Sequence, residues 1–166
     1  MSRLESFRRR LNAQIDGINW AIENIGETEG ENTNAIQGDI LEMGLGNGRT
    51  YDHLREYANR RIWVIDRVLQ CHPSCVPPKA DFLQGEADDM LVQMAQRGTQ
   101  IAFTHYEFGI GVSDVDSAEA TRLAPLIKAV MAPQGLVVSQ QKMPVMTQID
   151  GPPTVDPDRY FFYRNA

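Results

Sequence analysis

The chain has 166 residues, 42% of them apolar, and a formal net charge of −6. That is enough apolar sequence for one buried core and too little length for two ordinary domains, so a single unit over 1–166 is expected. The acidic balance argues against a nucleic-acid partner, while the absence of an N-terminal apolar signal core and the breaks at Lys128, Pro133 and Gly135 point to a cytoplasmic protein with no membrane partner.

In chain order, Leu4, Leu11, Ile18 and Ile25 recur at heptad spacing, and Phe7, Ile15, Ala21 and Ile22 fill the same stripe. The pattern predicts an amphipathic helix packed on the domain's own sheet. Heptad spacing also suits helix pairing, which leaves a homo-oligomer through this face open. Arg8, Arg9 and Arg10 read as a solvated outer face, with a membrane or anionic-ligand patch as the alternative. Trp20 reads as core before pocket lining. An acidic loop, Gly26 to Gly38, completes the N-terminal segment 1–35 and leads into the first strand.

The core segment, 36–141, opens with a strand Asp39-Ile-Leu-Glu42-Met, the turn Gly44-Leu-Gly46-Asn-Gly48, a helix lined by Tyr51, Leu54 and Tyr57, and a second strand Ile62-Trp-Val-Ile65 that ends on Asp66. Glycines at alternating positions turn the backbone sharply and leave no Cβ between it and a ligand. The helix start offers unpaired N–H groups and the positive end of its dipole to an anion. Asp66, at the carboxyl end of its strand, suits both hydroxyls of a ribose, and Glu42 adds a negative charge before the turn.

A dinucleotide fingerprint needs G-x-G-x-x-G, and the sixth position from Gly44 is Arg49. Glu42, Gly44, Gly46 and Gly48 instead resemble the E-x-G-x-G-x-G signature of class I S-adenosylmethionine-dependent methyltransferases, with Asp66 where that family places its ribose-binding acid. The resemblance implies S-adenosyl-L-methionine as cofactor and S-adenosyl-L-homocysteine as product, the cofactor's carboxylate at the helix start and its ammonium near Glu42. After a short strand Asp81-Phe-Leu-Gln84, Gly85-Glu86-Ala87 looks like the family's adenine-binding segment, which puts Glu86 and Ala87 among the cofactor residues. The plainer reading has Gly85 ending the strand and Glu86 complementing a helix dipole.

Between those strands, Cys71, His72 and Cys75 lie in a proline-rich loop that leaves little room for a helix. A structural zinc needs four ligands, so reduced cysteines and no metal are expected. Met90, Leu91 and Met94 line the next helix, Ile101 to Thr104 makes the fourth strand, and a helix from Ser117 to Met131 is expected, with Asp114 or Asp116 near its cap, a kink or break at Pro125 and Gly135 as its stop. Leu136 to Gln140 reads as the fifth strand. In the abbreviated tail, 142–166, a loop from Asp150 to Asp158 precedes a final strand, Arg159 to Arg164, covered on both faces. The family usually has a helix and two antiparallel strands here, for which the tail is short.

These elements predict an α/β fold: a Rossmann-like three-layer sandwich whose mostly parallel central sheet carries an antiparallel C-terminal strand, preceded by the N-terminal amphipathic helix. Ligands on such a sheet sit beyond the carboxyl ends of the strands. His105 follows the expected fourth strand and is the candidate catalytic base, ahead of Tyr106, Glu107 and Asp114. The Asp/Asn-Pro-Pro-aromatic segment of amino-directed DNA methyltransferases and a Pro-Cys nucleophile are both missing. A small-molecule methyl acceptor is therefore expected, ahead of a protein side chain. The alternatives are a non-catalytic cofactor-binding or interaction protein and a nicotinamide-dependent oxidoreductase. Which acceptor atom receives the methyl group is not written in these residues.

Overall fold

The computed structural model describes residues 1–27 and 34–166, so the middle of the Gly26 to Gly38 loop lies outside the described residues. Helix α1 (Arg3–Ile25) opens on a capping box: Ser2 Oγ accepts from the Glu5 amide at 3.1 Å, and the Ser2 amide donates to Glu5 Oε2 at 2.6 Å. It ends at Gly26, and the Arg60 guanidinium gathers four carbonyls there, those of Ile25, Gly26, Ile36 and Gly38. Both sides of the loop are thereby tied to one side chain.

Strands β1 (Asp39–Met43), β2 (Ile62–Asp66), β3 (Phe82–Gln84), β4 (Ile101–Tyr106), β5 (Met131–Ser139), β6 (Thr147–Ile149) and β7 (Phe161–Arg164) form one sheet in the order β3-β2-β1-β4-β5-β7-β6. The first five are parallel, and β7 runs antiparallel to both β5 and β6. Side chains alternate across the pleat, so neighbours in sequence go to opposite layers. Ile40, Val64, Val138 and Phe162 join α1 and helix α2 (Arg49–Tyr57) on one face. Leu41, Ile65, Val137 and Tyr163 meet helices α3 (Ala87–Gln96) and α4 (Ser113–Val130) on the other. This is the expected three-layer sandwich.

The heptad stripe of α1 is covered only along its second half. Ile18 and Ile25 are buried, whereas Leu4 is 77% exposed. The helix is longer than the sheet it crosses, and its first turns extend over the ends of the strands.

Three further boundaries differ from expectation. Helix α4 starts at Ser113 and continues through Pro125, whose missing N–H removes one hydrogen bond without ending the helix. β5 follows at once, and Gly135 lies inside it, next to Gln134 at φ 65°. Asn165 clips this irregularity through backbone bonds to Gln134 and Gly135 and side-chain bonds to the Met131 and Ala132 carbonyls. The tail holds both antiparallel strands and omits the helix. Between β2 and β3 there are only two short 3-10 turns, Pro73–Cys75 and Lys79–Asp81. No helix among the described residues is long and apolar enough to cross a membrane.

Candidate cofactor and acceptor site

The sheet's connection order reverses between β1 and β4, and in open α/β sheets ligands bind at that point. A cavity of about 660 Å³ opens there, bordered by the glycine turn, the ends of β2 and β3, the loop after β4, and the first half of α1. Its size is ordinary for a cofactor or drug-sized ligand.

Gly44, Gly46 and Gly48 all have positive φ, at 95°, 49° and 94°. They differ in what a side chain would meet. A Cβ on Gly48 would fall 2.5 Å from Cys75 Cβ, and one on Gly44 would fall 3.0 Å from the Phe108 ring, but nothing lies within 4 Å of the Gly46 position. The glycines at the edges of the turn allow close packing, and the central one leaves room in the cavity. Gly48→Ala is expected to cost about 1–3 kcal/mol from strain and crowding, and Gly46→Ala distinctly less because φ near 50° is tolerable for alanine. Urea unfolding of the two variants checks the order.

Asp66 lines the cavity, and its Oδ2 accepts from the Leu45 amide at 2.8 Å and, weakly, from Gly46 at 3.4 Å. The acid therefore holds the glycine turn while facing the space where a ribose would lie. Glu86 is the N-cap of α3, and Ala87 is its first residue; both line the cavity, with Arg67 3.9 Å from Glu86 Oε2. Gly44, Gly46, Gly48, Asp66, Glu86 and Ala87 are thus brought to one cavity.

Glu42 and His105 do not line it. β4 runs to Tyr106, two residues beyond the expected end, so His105 lies within the strand, opposite Glu42 of β1. Both side chains are fully buried, and His105 Nδ1 is 2.7 Å from Glu42 Oε1. Glu42 Oε2, His105 Nε2 and the Tyr106 hydroxyl are buried with no hydrogen-bond partner. Burial drives the Glu42 pKa up against the attraction of His105. Burial opposes the charged imidazole too, but Glu42 and Glu107 together outweigh it and raise the His105 pKa. The pair keeps its shared proton to a higher pH than a free imidazole would.

The residue at the end of β4 that does reach the cavity is Glu107, with 9% of its side chain exposed. Its Oε1 accepts from Arg10 Nη2 at 2.9 Å and Nε at 3.3 Å, from Gln14 Nε2, and from the Tyr160 hydroxyl at 2.9 Å. Burial alone would raise its pKa, but His105, Arg10 and the Tyr160 bond reverse this and lower it. Arg10 and Gln14, one helical turn apart on α1, are site residues that the sequence pattern does not reveal, since Arg8, Arg9 and Arg10 together read as a solvated face. Arg9 on that face pairs with Asp156. Trp20 packs edge-on against Phe162 at 5.1 Å. Asp114 is not among the cavity residues, whereas buried Asp116 accepts from the Ile110 and Gly111 amides and shapes the loop after β4.

Cys71 and Cys75 are free thiols packed near Gly48, and no three His, Cys, Asp or Glu side chains among the described residues gather as a metal centre.

A sequence profile described as S-adenosyl-L-methionine methyltransferase matches residues 1–165. The chain belongs to this methyltransferase family. The crystal structure of an S-adenosyl-L-methionine methyltransferase from Silicibacter pomeroyi matches with TM-score 0.88 and 31% identity, over 100% of this chain and 99% of that one. An RNA methyltransferase from Salinibacter ruber with S-adenosyl-L-homocysteine matches at TM-score 0.47 and 16% identity, over 99% and 90% of the two chains. No curated protein matches. Membership supplies the cofactor, S-adenosyl-L-methionine, and sets aside the nicotinamide reading. The site fits that cofactor on its own terms: open space at Gly46, a helix start at Arg49, and a strand-end acid at Asp66.

Proposed function

We propose that this methyltransferase acts on a small molecule as a single cytoplasmic domain. The carrying observation is the mouth of the cavity, where apolar Phe7, Leu11, Phe108, Ile110 and Val115 face the site. Three of the arginines that line the cavity are held by acids, Arg10 by Glu107, Arg67 by Glu86, and Arg122 by Asp88 and Glu119, so among the described residues only Arg49 at the start of α2 is left, which is not a track for phosphates. A nucleic-acid backbone needs the opposite arrangement. The exposed first turns of α1 offer a face on which a second copy could pair.

When bound, S-adenosyl-L-methionine supplies an electrophilic methyl group on a sulfonium. Asp66 holds the ribose hydroxyls, the start of α2 receives the carboxylate, and Glu86 with the Ala87 amide reads the adenine edge. Glu42 and His105 act from beneath the turn as positioning residues, since neither reaches the cavity. The enclosing residues of α1 and the loop after β4 exclude water and align the acceptor, which is the main requirement of an in-line transfer.

Calorimetric titration with S-adenosyl-L-methionine, S-adenosyl-L-homocysteine and NADH, followed by methyl-label transfer to small-molecule and RNA fractions, tests this reading. Binding of the two sulfur compounds but not NADH, with label in the small-molecule fraction, is expected. Label in RNA would overturn the acceptor class.

A further inference from the structure

Glu107 poses a question that cofactor binding does not answer. A carboxylate nearly removed from water is costly unless its lone pairs are used, and here Arg10, Gln14 and Tyr160 all donate to one oxygen, Oε1. The donors come from α1 and from the tail, while the Glu107 backbone lies against Gly44 of the glycine turn. They orient the group, keep it ionised, and leave the lone pairs of Oε2 to whatever occupies the cavity that Glu107 lines. Phe7, one turn before Arg10 on α1, and Phe108 line the same cavity. An anionic oxygen in a cavity that also presents aromatic rings suits a cationic N–H donor, with cation–π attraction available beside the charged hydrogen bond.

Resting on the small-molecule methyltransferase reading above, we propose that Glu107 is the acceptor-recognition residue and that the group it anchors is an amine carried on an apolar body. The remaining carboxylates and arginines of this wall do not offer an equivalent. Both oxygens of Asp116 are taken by backbone amides, and Arg122 is held between Glu119 and Asp88. A carboxylate-bearing acceptor would face Glu107 with like charge, and an alcohol would donate a hydrogen bond to the carboxylate but bring no positive charge to it.

The test is calorimetry in saturating S-adenosyl-L-homocysteine with phenethylamine, phenethyl alcohol and hydrocinnamate as probes. The wild type is expected to bind the amine about tenfold more tightly than the alcohol and to reject the acid. Glu107→Gln is expected to lower amine affinity about tenfold, leave the alcohol nearly unchanged, and retain cofactor-product binding. That selective loss is something a merely structural role would not produce. Equal binding of amine and alcohol, preference for the acid, no amine binding, or an unchanged amine-to-alcohol ratio in the variant overturns the proposal. If the variant does not fold, the wild-type order of the three probes decides. Failure of S-adenosyl-L-homocysteine itself to bind would instead bring down the underlying cofactor reading.

Discussion

Asp66→Ala is expected to weaken binding of S-adenosyl-L-homocysteine by about 100-fold or more in calorimetric titration, with the far-ultraviolet circular dichroism unchanged. Two losses combine. Hydrogen bonds from ribose hydroxyls to a charged acceptor are worth about 1.5–3 kcal/mol, and each 1.4 kcal/mol is about a factor of ten in affinity. In addition, Oδ2 accepts from the Leu45 amide at 2.8 Å, so the alanine variant also releases the glycine turn that must be ordered before a ligand can use it. Asp66→Asn separates the two, since its amide oxygen can still accept from Leu45 while the charge toward the ribose is gone. It should lie between wild type and alanine, closer to about a tenfold loss. Unchanged affinity in both variants would remove Asp66 from the cofactor site.

The glycine turn and its flanking strands were legible because they use residue types with few structural substitutes. Three glycines at positive φ and an acid at a strand end leave little freedom of interpretation. Orientation within the sheet was harder to read. Both faces of β1 and β4 are buried, so the strand pattern carries no contrast between Glu42, which points into the α1 layer, and a residue that points at a ligand. The end of β4 moved by two residues for the same reason, and that shift is what took His105 off the cavity and brought Glu107 to it. Arg10 was invisible as a site residue because its partner is 97 residues away. A helix that projects past its sheet looks locally like any amphipathic helix. The three-residue strand β6 has mostly exposed side chains and no periodicity long enough to register.

His105→Ala is the substitution expected to cost the most stability. It takes the charged partner away from the fully buried Glu42, a situation that costs about 3–5 kcal/mol when one member of a buried pair is removed. For a chain of this size each kcal/mol moves the thermal midpoint by roughly 2–4 °C, so a fall of about 6–20 °C is expected. The double variant Glu42→Met, His105→Phe removes both charges and fills the space, and should be distinctly more stable than His105→Ala, because replacing a buried pair by apolar groups is often close to neutral. The pair also predicts a pH dependence of definite sign. Unfolded, the imidazole loses its proton near about pH 6.5; folded, Glu42 and Glu107 hold that proton to higher pH. The native state therefore binds more protons above that point, and the imidazole's contribution is complete below about pH 6.5 and lost as the pH rises through the raised folded value, while the raised pKa of Glu42 adds a decline that begins above its unfolded value near about pH 4.3. Glu107 acts in a separate window: its lowered pKa gives stability that is present above about pH 4.3 and lost as the pH falls through the folded value. Thermal midpoints between about pH 3 and 9 distinguish these effects. An alkaline decline in the wild type that disappears in the double variant supports the charged pair. A decline of equal slope in both would place its origin elsewhere, and the single variant's loss would then have to be ascribed to the cavity left by the imidazole rather than to the loss of Glu42's charged partner.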